Sequence, residues 1–250
     1  MKTLSLSVVA LFSVFVLRAQ EFTRSLASFD KIVVSPKINV VLTPGDKESV
    51  RIVYAHVDKE KIHASVSGNT LQLYLEGARF LDKRERYSID DDDYHYRGKV
   101  SVYRNASVTA YITYKELRKL QVRGEEEITC TGPIVGDEFV LKAYGESEIT
   151  LDSIHVEEFR MALYGENKVR VKSGTAKQQT YRLYGENKID NSALKSEDIT
   201  TSIYGEGRLK LFATNQVYIT AFGEPMIEVL GSPDIRRGLL IGKANITRGK

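Results

Sequence analysis

Leu163-Tyr164-Gly165-Glu166-Asn167-Lys168-Val169 returns twenty residues later, almost unchanged, as Leu183-Tyr184-Gly185-Glu186-Asn187-Lys188-Ile189. Looser copies lie on both sides, so that six Gly-Glu pairs follow one another at intervals of 21, 20, 20, 20 and 18 residues. Their glycines are Gly124, Gly145, Gly165, Gly185, Gly205 and Gly223. A period of this kind is typical of repeat proteins, in which one short unit is stacked on the next.

Residues at even distances from each glycine are mostly apolar. The positions two before it are Val122, Ala143, Leu163, Leu183, Ile203 and Ala221. The positions four after it are Ile128, Ile149, Val169, Ile189, Leu209 and Ile227. Alternation with period two indicates strands with one buried face. Because the alternation continues through the glycine, we expect two short strands that meet at a tight corner, with the glycine itself facing inward.

A unit of this kind cannot bury its apolar face alone, whereas stacked units can. The sequence therefore predicts an all-β fold, a parallel β-helix (solenoid) of about six 20-residue coils. Ser147, Asn167 and Asn187 stand two residues after their glycines and are also predicted to face inward, where stacked amides form hydrogen-bonded ladders. Antiparallel hairpins around each glycine remain an alternative, but the recurrence of residue types at equal offsets favours stacking.

The remaining chain is predicted to cover the ends of this solenoid. Residues 20–116 read as a β-rich unit with turns at Ser35-Pro36 and at Thr43–Asp46 and a hairpin around Ser67–Thr70. Residues 117–232 hold the repeats, and residues 233–250 form a C-terminal cap or tail. The segment Asp90–Tyr96, with four adjacent aspartates at Asp90–Asp93, is predicted to be a solvated, mobile loop.

The N-terminus has the features of a secretory signal peptide over residues 1–19. Lys2 precedes an apolar run from Leu4 to Leu17, and Ala19 supplies a small residue before the cleavage point. We therefore expect an exported protein of the periplasm or cell surface, with no transmembrane segment in the mature chain. Cys130 is the only cysteine, so no internal disulfide forms, and its even offset predicts a small core residue.

Two columns of side chains are predicted to face outward, one on each side of the glycines. The aromatic column consists of Tyr144, Tyr164, Tyr184, Tyr204 and Phe222. The glutamate column consists of Glu125, Glu146, Glu166, Glu186, Glu206 and Glu224. Carboxylates at the strand spacing of about 4.8 Å repel one another by about 1 kcal/mol in water, a repulsion that Lys168, Lys188 and Arg208 are placed to reduce.

These columns are the candidate ligand-binding residues. Aromatics flanked by carboxylates suit a glycan or the surface of an envelope protein. In the alternative interpretation the rings only brace neighbouring coils, and the glutamates form a solvated ladder. We predict that the five column aromatics, together with Glu146, Glu166, Glu186 and Glu206, contact the ligand.

The sequence offers little support for other functions. A net charge of +3 without a Lys/Arg block argues against nucleic acid as a partner. The four histidines lack zinc-ligand spacing, and neither a catalytic site nor a cofactor is predicted. Glu166 beside Lys168 keeps a glycan-active lyase or hydrolase as one alternative, and a purely structural envelope protein is another. The oligomeric state stays open.

Residues 27–232 also resemble a known family. The similarity is carried by Phe29–Val34, by Pro36–Thr43 with Gly45-Asp46, by Leu117–Gly124 and by the Gly-x-Asn-Lys-hydrophobic repeats. These stretches resemble the head GIN domain family of auto-transporter adhesins, exported proteins found in envelopes of the Bacteroidetes type. The resemblance implies a β-helical fold, export, a binding or adhesion role and no assigned enzymatic activity. The chain departs from the family pattern in carrying Glu after most of its glycines.

Overall fold

The computed structural model describes residues 19–91 and 94–249, with side chains described outside residues 87–97. The signal peptide prediction therefore lies almost entirely outside the described residues. Most of the described chain is strand. One 3-10 turn at Lys59–Lys61 interrupts it, and no helix within these ranges has the length and apolarity to cross a membrane.

The strands divide into two groups along the chain. The strands of the N-terminal half are β1 Gln20–Ser25, β2 Lys31–Val34, β3 Asn39–Pro44, β4 Ser49–Ala55, β5 Ile62–Ser67, β6 Thr70–Leu75, β7 Arg84–Asp91, β8 Tyr94–Ser101 and β9 Ser107–Tyr114. The strands of the repeat region and tail are β10 Lys119–Gly124, β11 Glu127–Gly145, β12 Glu148–Gly165, β13 Lys168–Val171, β14 Gly174–Tyr184, β15 Asn187–Tyr204, β16 Gly207–Gly223, β17 Met226–Gly231, β18 Asp234–Gly242 and β19 Asn245–Arg248.

Successive coils pair in parallel and in register. Gly124 of β10 lies opposite Gly145 of β11, and Gly145 lies opposite Gly165 of β12. The same pairing continues through β13, β14, β15 and β16, which gives a solenoid of about six turns. The predicted parallel β-helix is confirmed, and the alternative of antiparallel hairpins around each glycine is wrong.

The N-terminal strands extend the parallel stack. β2 pairs in parallel with β10 on one edge and with β6 on the other, while β3 lies in the same way between β11 and β9. The spatial order of these layers is thus β6 and β9, then β2 and β3, then β10 and β11. The N-terminal half covers the first coil as predicted, but it does so by continuing the coil's own pairing, which the sequence pattern did not indicate.

Antiparallel strands complete this end of the molecule. β5 pairs with β6, which confirms the hairpin around Ser67–Thr70, and β4 lies between β9 and β1. β7 and β8 form a separate two-stranded sheet. The loop predicted at Asp90–Tyr96 is therefore wrong in part, because residues 90–91 and 94–96 belong to the paired strands of this hairpin, while residues 92–93 lie outside the description.

The tail forms another coil. β18 pairs in parallel with β16, which places Gly242 opposite Gly223, and β19 pairs with β17. Residues 234–248 thus repeat the stacking of the coils before them. The sequence pattern predicted a cap here but missed the glycine, since Gly242 is preceded by Ile241 and followed by Lys243 in place of Tyr and Glu.

The interior of the stack is apolar with a few polar columns. Val122, Leu163 and their equivalents two residues before each glycine are buried, as predicted, and so is Cys130. The predicted amide ladder is present. Asn187 Oδ1 accepts hydrogen bonds from Asn167 N and Nδ2, both at 3.2 Å, and Asn167 Oδ1 accepts one from Ser147 N, also at 3.2 Å.

The glycine corners differ from the prediction in one respect. Gly165 was expected to face inward, but a Cβ built there would overlap the carbonyl oxygen of Gly145 in the preceding coil. Its φ is +110°, in the region that L side chains avoid. Glycine is required because adjacent corners approach along the stacking direction, rather than because the core is full.

Candidate functional site

The aromatic column is a continuous stack of rings on the outside of the solenoid. Tyr144 and Tyr164 have ring centroids 5.0 Å apart with an angle of 2° between their planes. Each of the next three pairs, up to Tyr204 with Phe222, has centroids 4.8 to 5.0 Å apart and planes within 5°. In-register pairing produces this stack, because it repeats each side chain one strand spacing further along.

The stack determines which parts of the rings a partner can reach. Tyr164 and Tyr184 each have a ring on either side, so both of their faces are covered and only the outer edge and the hydroxyl group are free. The four column tyrosines are 37 to 38% exposed. The column therefore presents a ribbon of ring edges and hydroxyl groups. It does not offer the flat aromatic faces on which a sugar ring would stack.

The glutamate column runs beside this ribbon. All six glutamates are exposed. The backbone N–H of Glu146 donates to the carbonyl of Gly124 in the preceding coil, and that of Glu166 donates to the carbonyl of Gly145, each at 2.9 Å. Within the described residues these six carboxylates form no ion pair. Lys168, which was placed to compensate them, instead pairs with Glu148 at 3.4 Å. The column is thus a row of unpaired negative charges, one per coil.

The aromatic and glutamate columns change at their N-terminal end. Arg123 lies opposite Tyr144 at the aromatic position, and its guanidinium carbon is 5.1 Å from the ring centroid of Phe80. Glu126 occupies the position of the ladder residues Ser147 and Asn167. It is buried, and its Oε1 accepts a hydrogen bond of 2.6 Å from Lys37 N. Burial raises the pKa of the Glu126 carboxyl, against the effect of the Lys37 N–H.

Glu126, Arg123 and Phe80, at the N-terminal end of the columns, were not predicted as site residues from the sequence. The signal for Glu126 was visible, because a carboxylate at an inward position breaks the run of Ser and Asn at that offset. Nothing comparable pointed to Phe80, which lies 43 residues before Arg123 in a segment without repeat pattern. Within the described residues no group of three His, Cys, Asp or Glu side chains is arranged to hold a metal ion.

The fold and its outward columns define an elongated parallel β-helical protein with one long, regular and polar face. A family model described as "Putative auto-transporter adhesin, head GIN domain" matches residues 28–233. The chain belongs to this family, as the resemblance in its sequence indicated. Among curated proteins none matches the chain.

Solved structures share the fold at low sequence identity. A putative adhesin from Bacteroides fragilis is 17% identical, with 93% of this chain and 97% of that chain covered and a TM-score of 0.75. A putative adhesin from Parabacteroides distasonis is 16% identical with the same coverage and a TM-score of 0.65. A structure from the same species described as a putative lipid binding protein is 15% identical, covers 92% of this chain and 96% of that chain, and has a TM-score of 0.62.

Proposed function

We propose that this protein is an exported binding or adhesion protein of the cell envelope or surface, and that it binds a glycan chain along the aromatic and glutamate columns. The observation that carries the proposal is the exposed row of Tyr hydroxyls and Glu carboxylates, in which the tyrosine ring centroids repeat at 4.8 to 5.0 Å. A regular row of this kind complements a ligand that itself repeats, and its hydroxyls and carboxylates bind the hydroxyl groups of a sugar. The unpaired carboxylates favour a neutral or cationic chain over an acidic one.

Binding is tested first with the mature chain on a glycan array, and then with the polysaccharide that gives the strongest signal. Tyr164→Ser with Tyr184→Ser removes two adjacent hydroxyl-bearing edges. Affinity for that polysaccharide should fall at least tenfold, or about 1.4 kcal/mol, while the fold survives. The matched control is Tyr111→Ser with Tyr218→Ser, since these tyrosines are 37% and 39% exposed but lie outside the column.

The same variants separate the alternatives. If thermal stability collapses and affinity does not change, the column is a brace and the protein fits the structural hypothesis. If binding is strong to an envelope protein and absent for every glycan, the ligand class is wrong. Release of shorter products from polysaccharides would support the glycan-active enzyme instead.

Export has its own test. Mass spectrometry of the native protein should find an N-terminus near Gln20, because residues 1–19 have the composition of a cleaved signal peptide. A mature protein that retains Met1 or Lys2 would contradict this part of the proposal.

A further inference from the structure

A cavity of about 450 Å³ lies at the N-terminal end of the two columns. Its walls are the corner Pro36-Lys37, the segment Phe80–Asp82 and the first two glycine corners, at Gly124 and Gly145. This volume falls in the range of small-molecule sites and is ample for one sugar ring. The cavity occupies the place where the regular stack meets a corner of different shape.

One side of the cavity is apolar and exposed. Phe80 is 65% and Leu81 80% exposed, although side chains of this kind are usually withdrawn from water. The guanidinium groups of Arg123 and Arg79 lie 5.1 and 5.8 Å from the ring centroid of Phe80. These contacts hold an aromatic ring in the cavity wall, an arrangement suited to the C–H face of a sugar.

Carboxylates also line the cavity, together with the cations Lys37, Arg84 and Arg123. Glu126 is only 7% exposed, and its Oε2 is buried without a hydrogen-bond partner in the described structure, while Oε1 is held by Lys37 N. Glu125 and Glu146 border the same cavity and form no ion pair within the described residues. Asp82 is already engaged, because it lies 3.9 Å from Arg84 and accepts a hydrogen bond from Ser101 Oγ.

We propose that this cavity is a binding site for an amino sugar, with the ammonium group among Glu125, Glu126 and Glu146 and the C–H face of the ring against Phe80. An ammonium group brings a positive charge to Glu125 and Glu146, which form no ion pair within the described residues, and a donor to the unpartnered Oε2 of Glu126. Of the cations in the lining, Arg84 lies beside Asp82 and Arg123 lies over Phe80. A sugar with hydroxyl groups alone therefore leaves Glu125 and Glu146 without an ion pair, and an acidic sugar adds a negative charge beside them. The site rests on the proposed function in that both take a saccharide as ligand, but it lies at the end of the columns rather than along them.

The test is a titration of glucosamine, glucose and glucuronate into the mature chain at pH 7. Glucosamine should bind at least tenfold more tightly than glucose, and glucuronate more weakly than either. Phe80→Ser and Glu126→Gln should each weaken glucosamine binding at least tenfold. Phe80 is exposed, so its variant tests the site even if the buried Glu126→Gln variant fails to fold. Glu197→Gln, at an exposed glutamate outside both the cavity and the columns, is the matched control and should bind as the parent does.

The outcomes distinguish this inference from the proposed function. Equal affinity for glucosamine and glucose, or unchanged binding by both variants, would overturn the amino-sugar site and leave the column proposal standing. If glucosamine binding depends on Phe80 and Glu126 while Tyr164→Ser with Tyr184→Ser changes no glycan affinity, the site is supported and the column proposal fails. A chitosan trimer that binds more tightly than glucosamine, with the same dependence on Phe80, would identify the ligand as the end of an amino-sugar chain. Equal affinity of the trimer and glucosamine would mean that the cavity contacts a single sugar unit.

Discussion

The middle coils and the first coil of this solenoid use the same corner positions in opposite ways. In the middle, the rings and the amides find copies of themselves in the next coil, so that Tyr164 stacks on Tyr184 and Asn167 bonds to Asn187. In the first coil the same positions hold Arg123 and Glu126, and the corner that precedes them, at Pro36-Lys37, has no glycine. The stacked rings and amides are thus satisfied within the solenoid, whereas Glu126 Oε2 has no hydrogen-bond partner in the described structure.

The largest effect is expected where the middle coils are most alike, at the glycine corners. Gly165→Val should cost about 3 kcal/mol or more in the free energy of unfolding, because a β-branched residue must adopt a positive φ and displace the carbonyl of Gly145. Lys168→Ala, three residues away and exposed, should cost less than about 0.5 kcal/mol. Equal denaturant midpoints for the two variants would show that the corners do not stack closely.

A smaller effect is expected in the amide ladder. Asn187→Ala removes the acceptor of two hydrogen bonds and leaves Asn167 N–H and Nδ2 buried, which should cost about 2 kcal/mol. The matched control is Asn215→Ala, since Asn215 is exposed and bonds only to Asp198. If urea unfolding gives the same stability for both alanine variants, the ladder contributes nothing beyond an ordinary surface amide.

The stability of the first coil should depend on pH through Glu126. Burial raises the pKa of Glu126 in the folded state, so its contribution to stability is full below the unfolded pKa and is lost as the pH rises through the folded pKa. Glu126→Gln keeps an acceptor for Lys37 N but cannot ionise. Its melting temperature relative to the parent should therefore be higher at pH 7 than at pH 4.

The control for this pH dependence is Glu197→Gln. Glu197 is exposed and lies outside the glutamate column, so its variant should follow the parent at both pH values. A Glu126→Gln variant whose melting temperature differs from the parent by the same amount at pH 4 and pH 7 would contradict a raised pKa in the folded protein.

The smallest effect concerns Cys130, also in the first coil. It occupies an inward position that is apolar in most other coils, and burial raises the pKa of its thiol to about 11. Tyr114 Oη lies 3.3 Å from its sulfur. Iodoacetamide at pH 8 should label Cys130 in urea but leave the native protein unmodified. Rapid labelling of the native protein would mean that this coil opens readily.

The parts of the fold that could be predicted are those that repeat. The glycine period and the alternation around it predicted the parallel coils, the buried columns, the amide ladder and the outward glutamates. The covering of the ring faces agrees only with the alternative interpretation, in which the rings brace neighbouring coils. The sequence could not decide between the two interpretations, because the order of residues does not specify side-chain torsions.

The strand pairing and the cavity at the N-terminal end of the solenoid could not be predicted, for a different reason. The pairing of β2 with β6 joins Lys31 to Thr70 without any shared motif, since the corner after β2 is Pro36-Lys37 rather than a glycine. Phe80 reaches the first coil through a long insertion between β6 and β9. The candidate columns could thus be named from sequence, whereas the cavity at their end required the tertiary structure.

The layer of β2 and β3 has a consequence for how the molecule is assembled. It comes early in the chain, yet β6 and β9 add to one of its edges and β10 and β11 to the other. Strands that follow this layer in the chain therefore occupy both of its edges, and its pairing is complete only once the chain extends as far as Cys130. A chain that ended before β10 would leave one edge of the layer without its partner, open to pairing with another strand.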